Sequence, residues 1–522
     1  MLQKLSELGP RSIDELVADT GLGRATVYSA LTDDDVLRVA LAQPREVRLS
    51  KGPGGRAKAF YGLQPFVAVG VEFDRDRVRV CITDLSGNPL WREHVRLSVS
   101  GDFMRFWTKD SKGETVRDES FPCSQEAHLR MRLAPDADPA DGRTSGAVDT
   151  HPGFALQAAV DLVERGLKHL GKVPPAFWPE DHVAVRPGQA NETQPVTRDH
   201  VLGIGVAMPA PVDLETQTAS ATVLPGWRGI RPAEALRVAL GLGERVQLVT
   251  GNDANLGAWA EYHYASRNPD NRYGFTEPPK SLLYIKTAPG PRGVGAGVVA
   301  QDSRGEVSIY RGANHAGEIG HIPFDWPADQ PGEKKPSEEQ KKCPHCGHES
   351  CLESRLALPV FLPREDHESY MTWDDVVAHL RTLEPRERRG TREAQAILDA
   401  SERLGKALGT AVTLFNPNLL VVTGPLSHAL ADPNAPKEYR DVAIAPEDER
   451  PLLTQLKQAA FRDAFKSLQS ELGTPAVFRS GLGWWGVALG AALRVLDFNT
   501  RQVPFFRAAV EDGASDRAAT AA

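Results

Sequence analysis

From residue 66 onward, short apolar runs that favour β-strands alternate with longer segments that favour helices. Such an alternation is typical of an α/β fold, in which helices cover a central sheet. At 522 residues the chain is too long for one ordinary domain, so we expect several. The predicted strands and helices include Phe66–Val71, Arg77–Thr83, Phe154–Leu170, Val201–Ala207, Val246–Thr250 and Leu256–Ala265.

The composition excludes several classes of protein. A chain with 41% hydrophobic and 25% charged residues is typical of globular proteins. No run approaches the roughly 18 apolar residues of a membrane-spanning helix, and the N-terminal MLQKLSELGPRS lacks the apolar core of a secretion signal. Five cysteines are too few for a disulfide scaffold. We therefore expect a cytoplasmic protein that has no membrane partner.

The first 65 residues predict a winged helix-turn-helix domain. Ser12 followed by Glu15 forms a capping box at the start of a helix. The run Thr20–Gly23 breaks that helix, and a second helix follows over Arg24–Leu31. The glycine-rich run Lys51–Arg56 then lies between two strand-like segments, as the tip of a wing does. This pattern favours DNA binding; the alternative is a small helical cap that contacts only the rest of the chain.

Local charge supports the DNA-binding interpretation. Residues 38–58 contain six Lys or Arg residues and one acidic residue, whereas the whole chain has a net charge of −8. The second helix of such a domain enters the major groove, and basic residues of the wing contact phosphate. One domain makes few contacts, so a palindromic DNA operator would need a homodimer or homotetramer. The residues expected to contact DNA are Arg24, Thr26, Tyr28, Ser29, Arg56 and Lys58.

A polar run with possible catalytic chemistry, Gly251–Asn255, follows the predicted strand Val246–Thr250. Ligands of α/β sheets bind at the carboxyl ends of strands. A carboxylate there could accept a proton from a substrate hydroxyl, so Asp253 is a candidate general base. Asn and Asp are also preferred helix caps, and the pair Asn252-Asp253 could instead serve only to cap the helix that follows.

Three of the five cysteines lie within nine residues and are spaced C-x2-C-x4-C. This spacing predicts a zinc site that needs one more ligand for tetrahedral closure. His321 is the expected fourth ligand, and His345 and His348 are local alternatives. Four protein ligands leave no open position, so the zinc would be structural. The expected ligand set is His321, Cys343, Cys346 and Cys351.

The same segment contains acidic residues that the metal would position. We expect the zinc to bring Glu318 and Glu353 together at one pocket. Histidine has two ring nitrogens, so His321 could bind zinc through one and a ligand hydroxyl through the other. Several carboxylates and amides around one cleft suit a polyol, because each can bind sugar hydroxyls.

This set of motifs resembles the ROK family (repressors, open reading frames and kinases). The sugar site of that family contains an Asn-Asp pair, a Glu-x-Gly-His motif and a Cys-Leu-Glu end to its zinc loop. The resemblance implies a two-lobed actin-like/ribonuclease-H-like fold and a sugar site formed by Asn252, Asp253, Glu318, His321 and Glu353. Further matching segments are Gly203–Asp213, Leu224–Trp227, Gly293–Val299 and Val421–Gly424.

The motifs set the expected domain boundaries. A winged helix-turn-helix domain at 1–65 precedes an N-terminal lobe at 66–251, which a C-terminal helix at 475–497 completes. The C-terminal lobe at 252–474 carries the sugar site and the zinc loop, and 498–522 form a tail. Residues 99–150 are expected to be a disordered insertion, because Ala134–Pro152 has almost no large apolar side chain.

The nucleotide motifs of the kinase members are altered in this chain. Kinases of the family have Asp-x-Gly-Gly-Thr where this chain has Glu72–Asp76, so the glycines are lost and added carboxylates are expected to repel a triphosphate. Thr287–Arg292 and Gly424-Pro425 also depart from the family's nucleotide motifs. The sugar motifs are retained. We therefore expect a sugar-sensing transcriptional regulator with structural zinc, without ATP–Mg²⁺ binding or enzyme activity.

Two alternatives remain at this point. One is an active sugar kinase that transfers the ATP γ-phosphate to a hexose with Asp253 as base. The other is a family member that binds DNA but has lost its ligand. In a regulator, a sugar can act only through different affinities for two arrangements of the protein.

Overall fold

A computed structural model of the chain divides into two compact units. The first contains residues 1–208, 212–251 and 491–522, and the second contains residues 209–211 and 252–490. The residues that the structure describes are 1, 4–5, 11–34, 37, 41, 45–48, 57–109, 115–137, 147–172, 195–267, 273–288, 293–312, 316–323, 342–343, 345–362, 372–388, 390–429 and 476–502. Within these ranges no helix combines the length and the apolar character that crossing a membrane requires.

Groups of strands and groups of helices follow one another along the chain, and together they form a mixed α/β structure. The elements from the N-terminus to the end of the first long helix are β1 (Arg11–Ser12), α1 (Ile13–Thr20), α2 (Arg24–Asp33), β2 (Arg45–Arg48), β3 (Ala57–Tyr61), β4 (Val67–Asp74), β5 (Arg77–Thr83), β6 (Pro89–Ser100), β7 (Phe103–Lys109), β8 (Thr115–Pro122), α3 (Glu126–Leu133), α4 (Ala147–Thr150) and α5 (Pro152–Lys172). The next are β9 (Val201–Met208), β10 (Val212–Asp213), β11 (Thr218–Ala219), α6 (Pro232–Ala239), β12 (Gln247–Asn252), α7 (Asp253–Arg267), β13 (Ser281–Thr287), β14 (Val294–Gln301) and β15 (Val307–Tyr310). The last are α8 (Leu352–Arg355), α9 (Leu358–Phe361), α10 (Trp373–Thr382), α11 (Pro385–Arg388), α12 (Arg392–Phe415), β16 (Leu419–Thr423), β17 (Ala476–Arg479) and α13 (Gly486–Gln502).

The N-terminal segment combines two helices with a three-stranded antiparallel sheet of order β1-β3-β2. The capping box is present, since Ser12 and Glu15 each bond the other's backbone amide at the start of α1. Helix α1 ends at Gly21, whose φ of 68° is the left-handed conformation that favours glycine. Leu16, Val27 and neighbouring apolar residues form a small separate core. Two helices, a tight turn and a β-hairpin are the parts of the predicted winged helix-turn-helix; the wing tip at 49–56 lies outside the described residues.

The first unit is built on a seven-stranded sheet of order β12-β9-β4-β5-β6-β7-β8. Strands β4 and β9 are parallel, and the strands from β4 to β8 form an antiparallel meander. Helix α5 packs on β5 and β6 through its apolar face. Strands β4, β5 and β9 are buried along their whole length. Strand β9 is accordingly a continuous apolar run, whereas β4 and β5 also bury charged side chains.

The expectation that residues 99–150 are a disordered insertion is wrong for most of this segment. Strands β7 and β8 extend the central sheet, and α3 and α4 follow them. Phe106 is buried, with its ring 5.0 Å from that of Phe121 and 6.0 Å from that of Phe154, and Arg105 and Asp118 form a cross-strand ion pair of 2.6 Å. The segment is therefore ordered by burial of a few aromatic residues, although its average composition is polar. Residues 138–146 of the polar run lie outside the described part.

The second unit is built on a five-stranded sheet of order β15-β14-β13-β16-β17. Strand β13 is antiparallel to β14 and parallel to β16, and β16 is parallel to β17. Helix α7 packs on β13 and β14. Apolar residues of β13 and β14 that include Leu283, Ile285 and Val298 form a core with α10 and α12. Helices thus cover the sheet, as the α/β fold class predicts.

The C-terminal boundaries need a correction. Residues 476–479, placed at the start of a helix by the sequence, form strand β17 and pair with β16 from Leu419↔Ala476 to Val422↔Arg479. The helix begins only at Gly486 and continues to Gln502, so it also enters the segment expected to be a tail. The β-branched and aromatic residues Val477 and Phe478 suit a pleated strand better than a helix.

Candidate functional site

Asn252 and Asp253 lie where β12 ends and α7 begins. The Asn252 side chain caps the helix, because its Oδ1 accepts a hydrogen bond of 3.1 Å from the Asn255 amide. Its Nδ2 donates to the Ala210 carbonyl at 3.3 Å. The capping alternative therefore describes Asn252, while Asp253 lies within the first turn of the helix and presents a carboxylate at the strand end.

The Asp253 carboxylate pairs with a lysine that the sequence analysis did not identify. Lys286 Nζ lies 2.6 Å from Asp253 Oδ2, and the two side chains are only 10% and 11% exposed. The second carboxylate oxygen, Oδ1, accepts a hydrogen bond of 2.7 Å from the Ala254 amide. The signal in the sequence was a lysine near the end of the apolar run Leu282–Thr287, where a buried charge requires a partner.

The Glu-x-Gly-His segment lies next to the start of β14. The Ala296 amide donates to the Gly317 carbonyl at 2.9 Å. Gly317 has a φ of 97°, and a Cβ at this position would overlap the Ala296 carbonyl oxygen. Glycine suits this position because it has no Cβ and readily adopts a positive φ. In the same strand, Gly295 lies next to Ala254. The first residues of β14 thus contact Ala254 and Gly317, which directly follow Asp253 and directly precede Glu318.

Glu318, His321 and Glu353 converge, as the sequence analysis expected. His321 Nε2 is 3.8 Å from Glu318 Oε2 and 3.8 Å from Glu353 Oε2. Glu353 belongs to the short helix α8 and is 5% exposed. Among the described residues its Oε1 has no hydrogen-bond partner, although His345 Nε2 lies 3.8 Å away. A buried carboxylate oxygen that has no hydrogen-bond partner among the described residues can accept a hydrogen bond from a ligand.

Four residues form a cluster of possible metal ligands, and they are the four that the spacing predicted. The ligand atoms of His321, Cys343, Cys346 and Cys351 all lie within 4.8 Å of one another. His321 supplies Nδ1, which is 3.7 Å from Cys343 Sγ. His345 and His348, the local alternatives, are not members of this cluster. Hydrogen bonds hold the loop, including Cys343 N to the His348 carbonyl and Ser354 N to Cys351 Sγ.

The donor set fits a tetrahedral metal ion. Bonds of about 2.3 Å to sulfur and about 2.0 Å to nitrogen place tetrahedral donors roughly 3.5–3.8 Å apart, close to the observed 3.7 Å between Nδ1 and Sγ. A hydrogen bond from Cys343 lowers the pKa of the Cys351 thiol, and the same contact together with burial raises the pKa of Cys343. The thiolate is the form that binds a soft metal. The hydrogen bond to Cys351 also raises the pKa of His321 to about 9.

The predicted DNA-contacting residues that the structure describes lie on α2. Arg24, Thr26, Tyr28 and Ser29 are all exposed, whereas Val27 between them is buried. Arg24 is ion-paired with Asp14 of α1, and Ser29 Oγ donates to Asp33 at 2.8 Å. Arg56 lies outside the described residues, and Lys58 is on β3 with its side chain outside them.

The acidic segment Glu72–Asp76 contains carboxylates that are engaged within the protein. Glu72 and Asp74 are buried, and Arg79 Nη1 lies 2.8 Å from Glu72 Oε2 and 3.4 Å from Asp74 Oδ2. Asp76 is partly exposed and lies 3.9 Å from Arg96 Nε. The carboxylates of Glu72 and Asp74, which were expected to repel a triphosphate, are thus buried and share an ion pair with Arg79 of β5.

The other altered nucleotide motifs are described only in part. Pro289–Arg292 lie outside the described residues. Gly424 joins β16 to a 3₁₀ turn over Pro425–Ala429, and the Leu426 amide donates to Thr287 Oγ1 at 3.4 Å. This turn is thus held by contacts within the second unit.

The chain is similar in fold to a crystal structure of a ROK family transcriptional regulator, a homologue of the E. coli MLC protein: 15% of residues are identical, 97% of each chain is covered and the TM-score is 0.52. That likeness confirms the predicted fold class. Residues 188–463, more than half of the chain, match the ROK family. The chain therefore belongs to the ROK family.

Two curated relatives are named as regulators of transcription. The chain is 25% identical over 244 residues to the putative xylose repressor of Caldicellulosiruptor sp. (strain Rt8B.4), covering 45% of this chain and 53% of the relative. It is 29% identical over 209 residues to the DNA-binding transcriptional dual regulator NagC of Escherichia coli (strain K12), covering 39% of this chain and 43% of the relative. The chain spans about half the length of the curated relatives it matches.

Proposed function

We propose that this protein is a transcriptional regulator that binds a DNA operator through residues 1–65 and a sugar through its second unit. The observation that carries the proposal is the position of His321. Its Nδ1 faces the cysteines and its Nε2 faces Glu318 and Glu353. A metal bound by the cluster would fix the imidazole and so position both acids toward a polyol. The names of the curated relatives support the regulatory role.

Structural zinc is the metal that we propose for the cluster. One imidazole and three thiols form a closed set of four soft ligands, typical of structural zinc sites. The zinc would hold the 342–353 segment against the 319–323 segment, which the Leu352 amide already joins through a 3.2 Å bond to the Ile322 carbonyl. The metal content of purified protein tests this directly, with one zinc per chain as the expected value.

The sugar site is tested by isothermal titration with D-xylose and N-acetylglucosamine, the sugars in the names of relatives. Glu353→Gln should weaken sugar binding about tenfold or more, because it replaces a buried carboxylate acceptor while the metal ligands stay intact. Glu349→Gln, an exposed change in the same loop, is the matched control and should bind like the wild type. Normal sugar affinity in Glu353→Gln protein with full metal content would exclude this carboxylate from the site.

The DNA site is tested with a gel-shift assay on DNA upstream of the gene. Tyr28→Ala should reduce binding about fivefold or more, since Tyr28 lies on the exposed face of α2, 56% exposed. Tyr310→Ala, in the second unit and 54% exposed, removes a similar side chain and should leave DNA binding unchanged. Equal effects of the two changes would contradict the assignment of α2 as the recognition helix.

A sugar kinase with Asp253 as base is the alternative that the same protein preparation can exclude. Incubation with ATP, Mg²⁺ and the sugar panel should give no turnover near 1 s⁻¹, the low end for kinases. Turnover of that size that disappears in Asp253→Asn would establish the kinase and overturn the regulator proposal.

Oligomeric state, which we propose to be a homodimer or homotetramer, is measured by light scattering on the same preparation.

A further inference from the structure

Lys286 and Asp253 form a buried ion pair at the start of α7. Lys286 is the sixth residue of β13 and lies between Gly295 of β14 and Thr423 of β16 in the sheet register. Its ammonium group crosses to the helix and contacts Asp253 Oδ2 at 2.6 Å. A lysine within a sheet is costly to bury unless its charge is paired, so this contact is a specific feature of the site.

The pair determines what chemistry Asp253 can perform. A general base must take up a proton, whereas an ammonium group at hydrogen-bond distance favours the ionised carboxylate. The same ammonium group holds the carboxylate in one orientation, together with the Ala254 amide on Oδ1. These contacts favour an acceptor for ligand hydroxyls over a base.

We propose that Lys286 is a positioning residue of the ligand site, which orients the ionised Asp253 carboxylate to accept a sugar hydroxyl and makes it a poor base. This inference rests on the proposed sugar-binding function and deepens it. Lys286 acts through Asp253, so its contribution to sugar affinity depends on the presence of the carboxylate. The same pairing would make proton abstraction from a sugar by Asp253 unfavourable, whatever the state of the nucleotide motifs.

The experiment is a double-mutant cycle on sugar binding, measured by titration with D-glucose, D-xylose and N-acetylglucosamine. The variants are Lys286→Met, Asp253→Asn and the double variant. Introduced into the wild-type protein, Lys286→Met should reduce the affinity for sugar about tenfold or more. Introduced into the Asp253→Asn protein, it should reduce that affinity less than about twofold. Lys280→Met, an exposed lysine just before the same strand, is the matched control and should bind within about twofold of the wild type.

A conservative variant separates positioning from a general effect on folding. Lys286→Arg keeps the positive charge and should recover most of the affinity that Lys286→Met loses. Lys286→Gln keeps a polar side chain, one atom shorter and without the charge, and should not. Thermal unfolding of each variant shows whether it is folded. If Lys286→Met does not fold, the comparison of Lys286→Arg with Lys286→Gln tests the same point.

The outcomes distinguish this inference from the proposed function. The positioning role would be overturned if Lys286→Met caused equal losses of sugar affinity in the wild-type and Asp253→Asn proteins. It would also be overturned if Lys286→Gln protein bound sugar as tightly as Lys286→Arg protein. In both cases the proposal of sugar binding would still stand. Binding of none of the three sugars by the wild type would count against the proposed function itself, and the inference would then fall with it.

Discussion

At the scale of single residues, Asp149 shows how burial shifts an acid. The residue is 4% exposed, and its Oδ1 has no hydrogen-bond partner among the described residues. Burial raises the pKa of its carboxyl group to about 6; the positive charge of Arg75 opposes the shift and the charge of Asp74 adds to it. In the folded protein Asp149 therefore holds a proton more tightly than an exposed aspartate does.

The raised pKa of Asp149 predicts how the effect of the isosteric substitution Asp149→Asn on the free energy of unfolding depends on pH. Because the folded pKa of Asp149 lies above the unfolded value, its contribution to stability is fully present below about pH 4 and is lost as the pH rises through about 6. Asp149→Asn should therefore raise the free energy of unfolding by about 1–3 kcal/mol at pH 8, and the gain should shrink toward pH 4. Urea denaturation at both pH values is the measurement. The exposed change Asp136→Asn is the control, and a gain independent of pH would contradict the explanation.

At the scale of elements, the β7–β8 hairpin decides whether residues 99–150 belong to the fold. The buried Phe106 contacts aromatic rings of β8 and α5, and Arg117 Cζ lies 5.7 Å from its ring centre. The hairpin thus joins the central sheet to its covering helix through a shared aromatic core. A polar average composition does not reveal this, because a few large side chains supply most of the buried apolar area.

The hairpin prediction is tested by truncating its central aromatic residue. Phe106→Ala should lower the free energy of unfolding by about 3–5 kcal/mol, since it removes a buried ring from a packed cluster. Phe103→Ala on the same strand removes an exposed ring and should cost less than about 1 kcal/mol. Chemical denaturation of both variants gives the comparison. Equal small effects would mean that the hairpin is an appendage with no part in the core.

At the scale of the whole molecule, the proposed functions are divided between the two units. The described DNA-contacting candidates lie in the first unit, whereas Asp253, Glu318, Glu353 and the four candidate metal ligands, which include His321, lie in the second. The candidate metal ligands come from the two ends of a segment from residue 321 to residue 351, so a metal bound there would close a long loop. Closing such a loop stabilises the unit that contains it.

The division predicts that metal loss affects the units differently. Cys346→Ser should reduce zinc content, lower the melting temperature by several °C and abolish sugar binding, while binding to operator DNA without sugar persists. Cys123→Ser is the matched control, because Cys123 is also half-buried but lies outside the cluster. Metal analysis, thermal unfolding and gel-shift assays on both variants are the measurements. Zinc content in Cys346→Ser equal to that of the control would remove Cys346 from the ligand set.

Much of the architecture could be predicted because it depends on residues close together in the sequence. The Ser12–Glu15 capping box, the glycine at the end of α1 and the long helix α5 follow from local pattern, and the structure contains all three. The four metal-ligand candidates also followed from spacing, since three of them lie within nine residues. The strand at 476–479 was missed because four residues are too short to show a period.

The chain itself determined the α/β fold class and the residues of the metal cluster, because apolar periodicity and short cysteine spacing act over a few residues. Only the tertiary structure decided which charges neutralise one another. Lys286 meets Asp253 across 33 residues, and Arg79 meets Glu72 and Asp74 across a hairpin. Such pairs depend on strand register and on the face of the sheet that a helix covers, because a one-residue shift in register would turn the strand residues of each pair to the opposite face.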